Sequence, residues 1–147
     1  FVNRQKGSGT RLLTDHLLDE HGVAPDRLAR TVTGCEDSHL AVAAAVAAGV
    51  GDAGLGVEAA AHSFGLDFVP LVTEDYFLVC LAPTLDMPAV QALRGVLQLP
   101  AWADTLATLP GYRASLPGEV LSLTRALPWW QFRVPKRVAS GDACLKP

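Results

Sequence analysis

At 147 residues the chain fits a single domain of ordinary size. Half of its residues are hydrophobic and 18% are charged, which supplies a core and argues against wholesale disorder. Twelve Lys and Arg against fifteen Asp and Glu leave a formal charge of −3. That balance argues against a nucleic-acid-binding surface built from clustered cations.

Phe1 to Asn3 reads as the end of a short strand. Gly7-Ser8-Gly9-Thr10 is a tight turn, and Arg11 to His21 a helix with Leu13 and Leu17 on one face, widened by Leu12 and Leu18. Gly22 is a helix stop. Asp37 or Ser38 caps a second, alanine-rich helix running to Ala48. Ala53-Gly54-Leu55-Gly56 is predicted as a short buried strand whose glycines mark a close approach. Val57 to Phe64 is a third helix. Asp67 to Val72 and Tyr76 to Ala82 are apolar runs bounded by turn residues, and both read as buried strands. Asp86-Met87-Pro88 caps and opens a helix to about Gln98, and Pro100 opens another to about Leu109. The alternation predicts an α/β class with a largely parallel sheet. Beyond residue 120 the period weakens. Residues 121–147 read as a tail, locally basic at Arg125, Arg133, Lys136 and Arg137 and strapped down by Trp129 and Trp130.

The three cysteines, Cys35, Cys80 and Cys144, show neither a CxxC pair nor zinc spacing. Unpaired thiols suggest a reducing compartment, and hence a cytoplasmic protein. Cys80 lies within Phe77 to Leu81 and is expected as inert core. No uninterrupted apolar run reaches the roughly eighteen residues of a membrane span.

The passage that carries chemistry is the strand–turn–helix at Gly7-Ser8-Gly9-Thr10-Arg11. A helix start presents unpaired N–H groups and a partial positive charge. Glycines admit a ligand close to the backbone, Ser8 and Thr10 bring hydroxyls, and Arg11 brings a cation. The local alternative is that Ser8 only caps its helix. The pattern matches neither the P-loop nor the dinucleotide fingerprint. Ser38-His39 and Gly56-Val57-Glu58 open two further helices. In a parallel sheet such starts share one edge, where they would form an oxyanion cradle.

Asn3-Arg4-Gln5-Lys6-Gly7-Ser8-Gly9-Thr10-Arg11 resembles the NRxxGSGTR segment of the periplasmic-binding-protein-like domain family. The resemblance continues through His39 to Ala47, Asp52 to Ala60, Gly65 to Leu71, Glu74-Asp75-Tyr76 and Leu109-Pro110-Gly111-Tyr112, and so covers roughly residues 1 to 120. Such domains are found fused to helix-turn-helix regulators and to molybdopterin molybdenumtransferase-like proteins, and are similar to molybdate- and tungstate-binding proteins. The resemblance implies a type II periplasmic-binding-protein-like fold in which residues 1 to about 75 form most of one lobe. The Tyr76–Ala82 strand would cross back to complete the other, whose first part would precede Phe1. Phe77 departs from the pattern, which leads one to expect a polar residue there.

The site residues on this reading are Ser8, Gly9, Thr10, Arg11, Ser38, His39, Val57 and Tyr76, all binding ligand and none catalytic. His39 is either a ligand donor or a locally bonded helix-start residue, and Tyr76 either touches ligand or is core. His16, His21 and His62 read as solvated, with no metal-ligand spacing. Arg4 and Lys6 read as solvated flanks, and Glu58 as a capping residue, since a carboxylate would repel an anion. Cys35 with His39 is a nucleophile–base pair with no orienting group, so the domain itself reads as non-catalytic. The function implied is binding or sensing of a small oxyanion, molybdate or tungstate, in molybdenum metabolism, with no cofactor. The module would be an accessory of a molybdenumtransferase or the effector domain of a regulator. Its partners would be the anion and either a second copy or an upstream domain of the same protein, with neither membrane nor direct nucleic-acid contact.

Overall fold

The computed structural model describes residues 1–128. Trp129, Trp130, Arg133, Lys136, Arg137 and Cys144, singled out in the sequence, lie outside the described residues.

Strand β1 (Val2–Arg4) pairs in parallel with β2 (Gly34–Glu36), Val2 facing Gly34, Asn3 facing Cys35 and Arg4 facing Glu36. Val2 also makes a parallel bridge to Gly54, its N–H donating to the Ala53 carbonyl at 2.8 Å. β1 is thus flanked by both later segments, and Val2 is fully buried between them. The strand predicted at residues 53–56 reduces to this bridge. A side chain at Gly54 would run into Val42 and the Val2 carbonyl, so glycine allows the close approach. The same glycine-rich composition gives a longer ladder little support.

Each of the three parallel segments leads into a helix. β1 leads into α1 (Gly9–Glu20). β2, which follows the short helix α2 (Pro25–Ala29), leads into α3 (His39–Ala47), and the Gly54 segment leads into α4 (Glu58–Ser63). The Ser8 and Ser38 hydroxyls accept from the N–H groups of Arg11 and Ala41, capping α1 and α3. Because the segments run parallel, the three helix starts lie at one sheet edge. The class is α/β, with α3 packed on β1, β2 and α4. The core is small: Val2, Val42, Ala43 and Ala60 are its buried apolar side chains among the described residues.

Several expectations need correction. The buried residues of α1 are Thr10 and Thr14, not Leu13 and Leu17, and the Thr14 hydroxyl donates to the Thr10 carbonyl at 2.8 Å. β2 and α2 were not anticipated, since Gly-Cys-Glu has no apolar alternation and α2 spans little more than one turn. Neither predicted strand forms between residues 67 and 82. The segment has no regular structure before a 3-10 turn at Ala82–Asp86, and every residue from 67 to 83 is exposed. Cys80 is accordingly exposed rather than core, as is Cys35. Asp86 does not cap the next helix, α5 (Pro88–Leu97); Met87 holds that position without a side-chain cap. α6 (Pro100–Ala107) and α7 (Leu123–Ala126) complete the order, with the 116–119 turn fastened to α5 by Arg94 Nε donating to the Gly118 carbonyl at 3.2 Å. No helix among the described residues is long and apolar enough to cross a membrane.

Candidate functional site

The end of β1 places a charged side chain in the interior. Asn3 and Arg4 are 3% and 8% exposed. The Asn3 side-chain oxygen accepts from the Arg4 N–H at 2.9 Å, and Arg4 Nη2 donates to the Asp37 carbonyl at 2.8 Å, beside the start of α3. Arg4 Nε and Nη1 are buried without a partner. Among the described residues the ion pair present is Arg11 with Asp15, so no carboxylate is ion-paired with Arg4. A buried guanidinium with unused donors and no counter-ion is costly unless an anion completes it.

His39 opens α3 next to the Ser38 cap. Its Nδ1 is also buried and unpartnered. Burial, followed by the positive charge of Arg4, holds the imidazole below its ordinary pKa, with Glu74 opposing. Tyr76 is pushed upward, by partial desolvation first, although the residue is 69% exposed, and then by Glu74 and Tyr112, with Arg4 opposing. Arg4, His39, Glu74, Tyr76 and Tyr112 therefore share one electrostatic neighbourhood.

Beside His39 a pocket of about 370 Å³ opens between α3 and α4, lined by Ser38, His39, Leu40, Val57, Ala59, Ala60, Ser63 and Tyr112. Tyr112 reaches it through the Gly111 turn, which presses on the first residue of α4. A side chain at Gly111, which has φ +79°, would stand 2.7 Å from Glu58 Cβ. Glu58 thus packs at a helix start, where its negative charge suits the free N–H groups.

The eight residues singled out in the sequence do not all meet. Ser38, His39 and Val57 line one pocket. Tyr76 joins them only through charge, on an exposed stretch. At α1 the Ser8 hydroxyl donates to the Gln5 carbonyl at 2.9 Å and accepts from Arg11 at 3.2 Å, and the Arg11 side chain turns to Asp15 at 3.0 Å. Thr10 is buried. What α1 offers toward the shared edge is backbone: the N–H groups of Gly9 and Thr10 lie in the first turn, and a side chain at Gly9 would meet nothing within 4 Å. Arg4, read in the sequence as a solvated flank, is buried instead. Its position as the last residue of a strand entering the glycine turn was the available signal.

A model of the PBP superfamily domain matches residues 1–98. The uncharacterized protein YvgK of Bacillus subtilis (strain 168) is 37% identical over 124 residues, which are 82% of this chain and 38% of that protein. The uncharacterized protein in the ferredoxin 2Fe-2S gene 5' region of Clostridium pasteurianum is 32% identical over 111 residues, 72% of this chain and 97% of its own length. The chain thus spans well under half of YvgK and nearly all of the clostridial relative. No solved structure matches.

Proposed function

We propose an anion-binding role for this chain, which belongs to the PBP superfamily. The observation that carries the reading is the buried Arg4 guanidinium, with two nitrogens unpartnered and no carboxylate paired to it. An oxyanion at the start of α3 would accept from Arg4, from the Ser38 hydroxyl and from His39 in its Nδ1–H form, in the favourable field of the helix end. The Ser38 oxygen already accepts from Ala41, yet its own proton is uncommitted. Recognition so built rests on one charge and several neutral donors.

Molybdate and tungstate are the inorganic anions that the sequence resemblance brings forward, and sulfate and phosphate are their natural controls. In a molybdenumtransferase-like or regulator setting the module would report the presence of its anion to the rest of the protein. Titration calorimetry with the four anions tests the reading. Arg4→Met keeps the length of the side chain and removes the charge. It should weaken binding by about 3 kcal/mol or more, roughly a hundredfold, since a buried pair loses one partner. Without ligand the same variant should be at least as stable as the parent, because an uncompensated buried charge is gone. Unchanged affinity in a folded Arg4→Met protein would place the site elsewhere.

A further inference from the structure

We infer that the anion of this site is organic: an oxyanion head on Arg4 and His39 carries a small apolar body that fills the pocket between α3 and α4. The inference rests on the anion-binding reading and adds what the rest of the ligand is.

The head site and the pocket adjoin along the chain at the start of α3. Arg4 donates to the carbonyl of Asp37, and the next two residues, Ser38 and His39, line the pocket wall. Beyond those two the wall is Leu40, Val57, Ala59, Ala60 and Tyr112. Its remaining member, Ser63, donates its hydroxyl to the Ala59 carbonyl at 2.8 Å and is spent within its own helix. The pocket therefore offers Ser38 and His39 as polar partners in a wall that is otherwise largely apolar.

Size points the same way. Four oxygens, each given a water molecule's share of liquid volume, occupy roughly 120 Å³. The pocket holds about 370 Å³, within the range of sites that take small organic molecules. A bare inorganic ion would leave Leu40, 56% exposed, and Tyr112, 37% exposed, facing water. An apolar body would cover both. Tyr112 is held at the rim by the Gly111 turn packed on Glu58, so this part of the apolar wall is set before ligand arrives.

A series with one head and a growing tail tests this: inorganic phosphate, then methyl-, propyl- and pentylphosphonate, titrated calorimetrically into the protein. Each buried methylene should tighten binding about fourfold until the pocket is full. Ala59→Leu, which fills the pocket from its wall, should flatten the series so that pentylphosphonate loses its advantage over phosphate. Phosphate and pentylphosphonate binding equally well to the parent protein, both lost in Arg4→Met, would overturn the organic ligand and leave the anion site standing. Tail-dependent binding that survives Arg4→Met would overturn the head-and-tail arrangement. No binding by any member of the series would overturn the organic ligand, while the molybdate and tungstate titrations decide the anion site itself.

Discussion

Residues 1–66 and residues 67–83 are both rich in apolar side chains, yet they end in opposite environments. In the first stretch Val2, Val42, Ala43 and Ala60 are buried around the parallel bridges. In the second, Val69, Leu78, Val79 and Leu81 are each at least 73% exposed, and no ladder hydrogen bond forms. The difference lies in what each segment packs against. β1 has a parallel neighbour on either side and α3 packed on it. The later runs have the composition of buried strands and pair with nothing among the described residues. Hydrophobicity sets the gain available from burial, but a second surface is needed to realise it.

The largest effect should come from prying the first region open. Gly54→Val would drive a branched side chain into Val42 and the backbone carbonyl of Val2. It should destabilise the fold by about 3 kcal/mol, the upper end of the usual overpacking cost. Thr73→Val, a branched replacement in the exposed stretch, should change stability by less than about 0.5 kcal/mol. Urea denaturation of both variants measures the contrast directly, and equal effects would erase it.

A helix cap ranks next. Ser38 accepts from the Ala41 N–H at 3.1 Å, so Ser38→Ala should cost about 1 kcal/mol. Ser8→Ala should cost a similar amount at α1, where the same bond to Arg11 is 3.2 Å. α5 and α6 start at Met87 and Leu99 with no side-chain cap. Met87→Ala should therefore lose no cap bond, and its denaturation midpoint should stay close to that of the parent.

These helices were legible in the sequence for the reasons that make them form. Ser38 is a cap, Pro88 and Pro100 are first-turn prolines, and Gly22 is a stop with positive φ. All are local signals. The strands were less legible because a strand is a relation between segments. β2 was invisible in Gly34-Cys35-Glu36, and two apolar runs that looked like strands are not paired. The candidate site divides in the same way. The α3 and α4 starts could be read from local residues, and Ser38, His39 and Val57 do line one pocket. The burial of Arg4 could not, since it depends on β2 lying beside β1 and on the carbonyl of Asp37, 33 residues away in sequence. Tyr112 reaches the pocket only because the Gly111 turn packs against Glu58.

A smaller effect should appear with pH, again in the first region. The folded state holds His39 below its ordinary pKa of about 6.5, through burial and then Arg4, against the opposing charge of Glu74. The folded protein thus binds that proton less readily than the unfolded chain. The resulting stability is fully present above pH 6.5 and is lost as pH falls through the folded pKa. Denaturation at pH 7.5 and pH 5 should show His39→Gln losing less stability on acidification than the parent. Identical pH dependence would mean that His39 is not shielded from solvent. Bound anion should oppose the shift and raise the imidazole pKa, a change that NMR titration of His39 with and without ligand can follow.

The smallest effect on stability should accompany a large effect on association. Leu78 and Val79 are 73% and 75% exposed, on a stretch that also shows Tyr76, Phe77 and Leu81 to solvent. A contiguous apolar surface of this kind favours contact with another protein surface over water. Leu78→Gln with Val79→Gln removes apolar area that the chain does not itself bury, so the unfolding free energy should move by no more than about 0.5 kcal/mol. Light scattering across a concentration series should show the parent protein gaining mass as concentration rises and the double variant doing so much less. A loss of more than about 2 kcal/mol would mean that the segment is packed in solution, and the contrast between the two regions would then disappear. If stability is untouched and association persists, the apolar contact lies elsewhere, and the same pair of measurements on Leu93→Gln with Val96→Gln tests α5, where both side chains are also exposed.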